Sequence, residues 1–486
     1  MLPDQPLLTL DDYVAAGGGR GLAAAHHLGP DAAIEDILAS GLRGRGGAGF
    51  PTGRKWSAVR RRESSVTAAT VVVNGAEGEP GSFKDRAILR ANPFAVLEGA
   101  LIAARCVGAD RVVVAVRRSF TRELEILERA MVALRDGGWS DDVALELFAA
   151  PEEYLVGEET ALLEVIAGRP PFPRLQAPFR HGVDEVLEHT DGEPEMAGEG
   201  GDTTAAPTLV QNVETMANVP GILAEGPAWF RAVGTDDSPG TVVCTVSGAT
   251  TRAGVGEFAM GTPLHDVLDV LGGGMPDGRS VAAVMSGVAN ALVPGDRLDA
   301  PVSHEGMQAI GSGLGAAGFL VFDDQTDFAA LAEGVSRFLS VESCGQCTPC
   351  KQDGRVITDL LHRIDSDEGE RDPDDLVLLD LDAAIANVAE SARCALAEQH
   401  QRVLGSIRDL WGTHWVEHAR NVRPPVAPIV IAPIGDLVDG RAVIETGHAD
   451  KQPDWTYDEV DSGEAPADRY GEGRPHHYPP GVPARR

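Results

Sequence analysis

Apolar positions recur at helical spacing over residues 31–40, where Ile34, Ile37 and Leu38 share one face, and the stretch runs into a glycine-rich loop over 41–53. A β-branched run at 67–73 predicts a strand, 93–107 an Ala/Leu-rich helix, 111–116 a second strand and 121–134 a long amphipathic helix. With a strand at 145–149 and a helix after Gly157, strand and helix alternate, which argues a βαβ-type α/β domain over 1–235. The pattern then changes: strands at 242–246, 255–260, 281–285 and 319–322 surround a short helix at 264–271, a small α+β unit over 236–330. From 331 to 420 the periodicity is helical and predicts a bundle, interrupted by an acidic, proline-containing stretch at 365–375. Residues 421–486 form an acidic, Pro/Gly-rich tail, expected to be loosely ordered because it can bury little apolar surface.

At 486 residues there is room for about three domains of ordinary size, and 43% apolar with 24% charged residues argues against global disorder. Forty-one basic against 74 acidic residues leave a net charge of −33, which repels nucleic-acid phosphates and anionic lipid; nucleic-acid binding is disfavoured. The first 30 residues carry neither a basic nor an apolar leader, and no apolar run approaches about 18 residues, so a soluble, cytoplasmic protein without direct membrane insertion is expected. Only four basic residues are lysine: Lys55, Lys84, Lys351 and Lys451. A chain that otherwise uses arginine keeps lysine where a planar guanidinium does not substitute for a compact ammonium.

The strongest chemical signal is Cys344-Gly-Gln-Cys347-Thr-Pro-Cys350, with Cys394 further along the same helical region. Successive C-x2-C spacings let one turn of backbone hold three corners of an iron–sulfur cube while a fourth ligand arrives from elsewhere. Structural zinc sites usually draw on two separated pairs, so zinc is the weaker alternative. His400 competes with Cys394 as the fourth ligand, while Cys106 and Cys244 sit in apolar patterns and read as small core residues.

Gly44-Arg45-Gly46-Gly47-Ala-Gly49 matches a dinucleotide fingerprint, but a helix rather than a strand precedes it, so an ordinary Rossmann turn is discounted. With Phe50, Lys55 and Trp56 following, the loop suits a flat or phosphorylated ligand, and a purely structural turn is equally open. Asn74, Glu77 and Glu79 fall directly after a predicted strand, where ligands of open α/β sheets bind. Gly157-Glu158-Glu159-Thr160 opens a helix, where acids in the first turn read as partners of the helix dipole rather than as ligands, and Gln211-Asn212-Val-Glu214 starts another, where capping is as plausible as ligand binding.

In this order, the segments 41–53 with Lys55-Trp56, 79–86, 157–163, 212–215 and 342–350 resemble the flavin- and NADH-binding subunit of respiratory complex I and its relatives in NAD-linked hydrogenases and formate dehydrogenases. The resemblance covers about residues 31–420 and implies an FMN- and NADH-binding Rossmann-like domain, a β-grasp domain of the soluble-ligand-binding type and a helical domain with one [4Fe-4S] cluster. It implies that Gly44, Arg45, Gly46, Gly47, Lys55, Asn74, Tyr154, Gly157, Glu158, Val210, Gln211 and Asn212 surround FMN. NADH would stack over the flavin against Phe50 and Phe179. Glu77, Glu79 and Glu159 would face the nucleotide, Glu77 and Glu159 nearest the chemistry, and their charge would repel the 2′-phosphate of NADPH. Hydride would pass to the flavin and single electrons to a cluster on Cys344, Cys347, Cys350 and Cys394, then to a partner, a [2Fe-2S] thioredoxin-like protein or another iron–sulfur acceptor. Ala58, Ala76, Gln176 and Gln211 depart from the usual pattern, and a long loop lies between Phe179 and Pro207. These departures keep open a second reading, an electron-transfer or scaffold subunit without productive nicotinamide binding.

Overall fold

A computed structural model describes residues 1–62, 67–183, 206–366 and 376–470. The expected long loop before Pro207, the acidic break at 365–375 and the last residues of the tail fall largely outside them. The described residues divide into two compact units: Met1–Glu77 with Lys84–Thr241, and Gly78–Phe83 with those from Val242 to Tyr470.

The first unit holds a four-stranded parallel sheet in the order β3-β2-β1-β4, made of β1 (Ala69–Gly75), β2 (Ala109–Arg117), β3 (Ala144–Ala150) and β4 (Thr208–Asn212). Val71 to Val73 and Val112 to Val116 are buried on both faces, as a helix-covered parallel sheet requires. Helix Pro93–Val107 is capped by Asn92, whose side chain accepts the Ala95 N–H, and it ends at Gly108 in the left-handed region. A Cβ on Gly99 would meet the Met216 carbonyl oxygen at 2.1 Å, so glycine is what lets this helix press on helix Val213–Glu225. Within it the fully buried Glu98 accepts the Tyr13 hydroxyl at 2.6 Å and the Gly19 and Leu22 N–H groups at 2.8 Å each. That one carboxylate pins two N-terminal helices, Leu10–Ala15 and Arg20–Leu28, whose short, glycine-broken patterns do not announce them.

Among the described residues no single helix is long and apolar enough to cross a membrane. One bent pair, Lys84–Ala91 with Pro93–Val107, passes on length and composition, and both of its helices are packed into the first unit's core.

The second unit contains a mixed five-stranded sheet in the order β6-β5-β9-β7-β8: β5 (Thr241–Gly248), β6 (Gly254–Ala259), β7 (Val281–Ser286), β8 (Val293–Pro294) and β9 (Gly318–Asp323). Strands β5 and β9 are parallel and β7 is antiparallel to β9, with helix Leu264–Gly272 closing one face through Leu264, Val267 and Leu268. The expected helical region is present as Phe328–Glu342, Thr348–Asp365, Leu376–Asn387 and Leu396–Ala419.

The loosely ordered tail is corrected over its described part. Strands β10 (Ile434–Val438) and β11 (Arg441–Ile444) form a hairpin, and His448, Lys451, Asp454 and Trp455 are buried. Composition misled because the segment contributes charged and aromatic side chains to a core formed by the helices rather than building its own.

Asp365 carries a measurable consequence. It is 1% exposed and neither carboxyl oxygen has a hydrogen-bond partner. Burial, reinforced by the Glu333 and Asp327 carboxylates, pushes it up to about 8. An acid whose folded pKa exceeds its unfolded value of about 4 is ionised only in the unfolded chain between those values, so its contribution to stability falls as pH rises through that window. Asp365→Asn is therefore expected to stabilise by about 2 kcal/mol at neutral pH and to be neutral at about pH 4. Urea midpoints at both pH values check this; an equal effect at the two would show that ionisation is not the cause.

Candidate active site

The carboxyl ends of two parallel neighbours meet side by side, with Asn74 of β1 in register with Asn212 of β4. Asn74 Nδ2 donates to the Gly157 carbonyl at 2.9 Å and its Oδ1 accepts the Ala76 N–H at 3.1 Å, which ties the strand end to the turn Tyr154–Gly157. Glu158 caps helix Glu159–Ile166, accepting the Thr160 and Ala161 N–H groups at 3.0 and 2.8 Å. Asn212 caps helix Val213–Glu225 through the Glu214 N–H at 3.0 Å. The capping reading of Asn212 holds, Glu158 is a cap beside the first-turn acid Glu159, and both helices turn their positive ends toward this side of the sheet.

The glycine loop joins helix Pro30–Ser40 to helix Thr52–Arg60, with no strand before it. Its register is fixed by Arg45: the N–H donates to Thr215 Oγ1 at 2.9 Å, and the buried guanidinium donates to the Thr241, Pro239 and Arg43 carbonyls. Gly47 and Gly49 occupy the left-handed region at φ 125° and 63°, and a Cβ on Gly46 would lie 3.2 Å from that of Asn212. A cradle of backbone without side chains thus abuts Asn212, while Gly157 abuts Asn74. Backbone bare of side chains lets a flat or phosphorylated ligand approach closely.

Beneath Asn212 lies a network the motifs alone did not reveal. Lys84, 1% exposed, donates to Asp85 Oδ1 at 2.7 Å and Asn212 Oδ1 at 3.1 Å, and pairs with Glu214 Oε2 at 3.0 Å. Asp85 Oδ2 accepts Asn212 Nδ2 at 2.7 Å, so both ends of that amide are held. Burial opposes the Lys84 charge, but Asp85, Glu214 and Glu77 outweigh it and hold the ammonium above its ordinary range.

The residues expected at the nucleotide separate into groups. Lys55 pairs with Glu159, both partly exposed, and Phe50 is 55% exposed. Phe179 is half-buried with the Arg62 guanidinium 5.1 Å above its ring, and Tyr154 is half-buried in the turn before Glu158. Glu77, by contrast, is buried: it accepts the Asp85 and Arg86 N–H groups and pairs with Arg86 at 3.1 Å. Glu79 belongs to the second unit, where its carboxylate accepts the Val288 N–H at 2.6 Å. Val210 and Gln211 are buried in β4, Val210 packed with Val72, Ala76 and Val113.

In the second unit Cys344 and Cys350 are each 7% exposed, while Cys347 and Cys394 are partly open. The Arg393 N–H points at Cys347 Sγ at 3.4 Å, which brings the Cys394 segment to the triplet, and Ser343 Oγ lies 3.2 Å from Cys350 Sγ. Burial pushes the Cys350 thiol up to about 11, and an anionic ligand set there needs compensating positive charge. Among the described residues no three His, Cys, Asp or Glu side chains close on one point as ligands of a single ion do. His400, the other candidate fourth ligand, is fully buried and bonded to Ser336 Oγ at 3.0 Å.

The family described as the Nuo51 FMN-binding domain matches residues 37–221, and the NADH-ubiquinone oxidoreductase-F iron-sulfur binding region matches 330–418, which contains all four of these cysteines. The NADH-quinone oxidoreductase F 2 polypeptide of Rhizobium meliloti is 34% identical over 436 residues, covering 87% of this chain and 97% of that protein. The chain belongs to the NADH-quinone oxidoreductase F family. The F polypeptide of the Streptomyces coelicolor NADH-quinone oxidoreductase is 33% identical over 89% of this chain and 93% of its own length. The solved structure of an NAD+-reducing [NiFe]-hydrogenase in the H2-reduced state superposes with a TM-score of 0.72 at 29% identity, over 84% of this chain and 66% of that one. This member of the F family thus spans about two thirds of that hydrogenase chain, against nearly all of the Rhizobium protein. Membership makes it an NADH-dependent oxidoreductase component with FMN and a [4Fe-4S] cluster, part of a larger assembly.

Sequence reasoning missed the Lys84, Asp85 and Glu214 network, the Thr215 latch on Arg45 and the partners of Lys351. The rarity of lysine was the available signal. Lys351, buried directly after the last cysteine of the triplet, donates to the Ser340 and Ser343 carbonyls at 3.1 and 2.9 Å and sets positive charge beside the thiols.

Proposed function

We propose that FMN is held where Asn74, Asn212, Gly157 and the Gly44–Gly49 loop converge, and that NADH is received on the open side by Phe50, Phe179 and the Lys55–Glu159 pair. The observation that carries this reading is the Asn74–Asn212 register, which sets two amide side chains and two helix N-termini beside a glycine cradle. When bound, FMN supplies the conversion between two-electron hydride chemistry and the one-electron chemistry of an iron–sulfur cluster. The chain's own residues orient and select: Arg45 and Thr215 fix the cradle, Lys84 and Asp85 fix the Asn212 amide, and Glu77 secures the loop after β1 from within, through Arg86. Glu159 presents negative charge at the partly exposed rim, where a 2′-phosphate would meet it. The cluster is assigned to Cys344, Cys347, Cys350 and Cys394. The five-stranded unit is read as the β-grasp domain, and electrons pass to a separate iron–sulfur partner of [2Fe-2S] thioredoxin-like type on the cytoplasmic side.

Glu159→Gln tests the nucleotide side. The preference for NADH over NADPH, as a ratio of kcat/KM values, is expected to fall about tenfold as the repulsive charge is lost. Steady-state assays with ferricyanide as acceptor read this ratio, and an unchanged preference would remove Glu159 from the nucleotide rim.

A further inference from the structure

We infer that residues His448 to Arg469 form a built-in cover over the Cys344 edge of the cluster loop, shielding that edge from solvent and from external oxidants. The inference rests on the assignment of the four cysteines as cluster ligands. The segment lies beyond the matched iron–sulfur region, which ends at residue 418, yet it is fastened to the loop at several points. The Ala467 N–H donates to the Cys344 carbonyl at 2.8 Å. Ala465 sits on Gly345, where a Cβ would approach the Ala465 Cβ to 2.4 Å, and Gly345 itself is at φ 86°. Lys351 Nζ donates to the Pro453 carbonyl, and Trp455 Nε1 donates to the Val341 carbonyl at 2.9 Å. Two residues before Cys344, Glu342 is 2% exposed and accepts Lys451 Nζ at 2.7 Å and His448 Nε2 at 2.9 Å. Outside the loop, Arg355 pairs with Asp461 at 2.6 Å and Arg469 with Asp454 at 3.0 Å, bracing the segment along helix Thr348–Asp365 and against itself.

The exposure of the cysteines follows this placement. Cys344 and Cys350 are buried, whereas Cys347 and Cys394 stay partly open. A cluster carried by these four is therefore closed on one edge by the chain itself and open on the other. Lys451, the one lysine outside every motif, finds its place here as an anchor of the cover.

The test uses the full-length protein with Ala467→Pro, which removes the N–H donor and turns the ring Cδ against the Cys344 carbonyl, so that this anchor of helix Pro466–Arg469 is forced open. A second variant, Lys451→Met, loosens the cover at a different anchor. Each is exposed to ferricyanide with EDTA, and loss of the cluster's visible absorption is timed. Both variants are expected to lose it about five- to tenfold faster than the parent, because local opening of the segment becomes more frequent. Reduction of the flavin by NADH is expected to keep its parental rate. Parental bleaching rates in both variants would overturn the cover. A parent protein purified anaerobically without iron and sulfide would instead overturn the cysteine assignment beneath it.

Discussion

Lys84→Met is expected to lower the unfolding free energy by about 3 to 5 kcal/mol and to yield protein that no longer retains FMN. The ammonium is buried among Asp85, Glu214 and Glu77, and methionine fills the space while cancelling the charge that balances them. The carboxylates left behind would be desolvated, mutually repelling and unpaired, the circumstance in which breaking a buried ion pair costs most. The effect reaches the cofactor because Lys84 and Asp85 hold opposite ends of the Asn212 amide. Denaturant unfolding with flavin quantified after gel filtration separates the two consequences. Lys84→Arg is expected to recover part of the stability and little of the flavin, since a planar fork cannot reproduce three contacts made from one nitrogen. Parental flavin content in the methionine variant would show that the Asn212 amide is not what holds the cofactor.

Cys394→Ala is expected to eliminate the cluster's signal altogether while leaving FMN bound and reducible by NADH. In the proposed assignment the triplet supplies three corners from one loop, and the fourth comes from the segment that delivers the Arg393 N–H to Cys347 Sγ. Without that thiolate the cube lacks a ligand. Iron and sulfide analysis with low-temperature electron paramagnetic resonance of dithionite-reduced protein gives the answer. A full cluster in Cys394→Ala that vanishes in His400→Ala would transfer the fourth position to the histidine.

The β-branched runs were readable because their burial is local: Val71 to Val73 and Val112 to Val116 carry the signal of a sheet covered on both faces without reference to anything distant. Helix Pro93–Val107 was readable to its ends because Asn92, Pro93 and Gly108 mark them chemically. Strand β4 was not, since it is a five-residue edge strand whose sheet pairing is with β1 alone, and Asn212 shows a helix cap more plainly than a strand end. The motif residues came from the resemblance, whereas Glu77 shows the limit of transferring positions: an acid in a ligand loop is here occupied by Arg86. The contacts of Lys84 with Glu214, and of Glu342 with Lys451, join residues more than a hundred positions apart, a separation no periodicity encodes. Lysine scarcity singled out Lys55, Lys84 and Lys351 within motif segments, and Lys451 became legible only once the C-terminal segment was seen to fold.

One chain takes hydride from NADH and parts the electrons one at a time. An anaerobic titration of the purified full-length protein with NADH, followed by visible absorption, puts this to the test in a single experiment. Flavin and cluster absorbance are both expected to bleach, with the endpoint at about 1.5 NADH per chain, two electrons for FMN and one for the cluster. Bound flavin and cluster that dithionite reduces but NADH leaves untouched would refute it, and would assign the chain to electron transfer without nicotinamide chemistry.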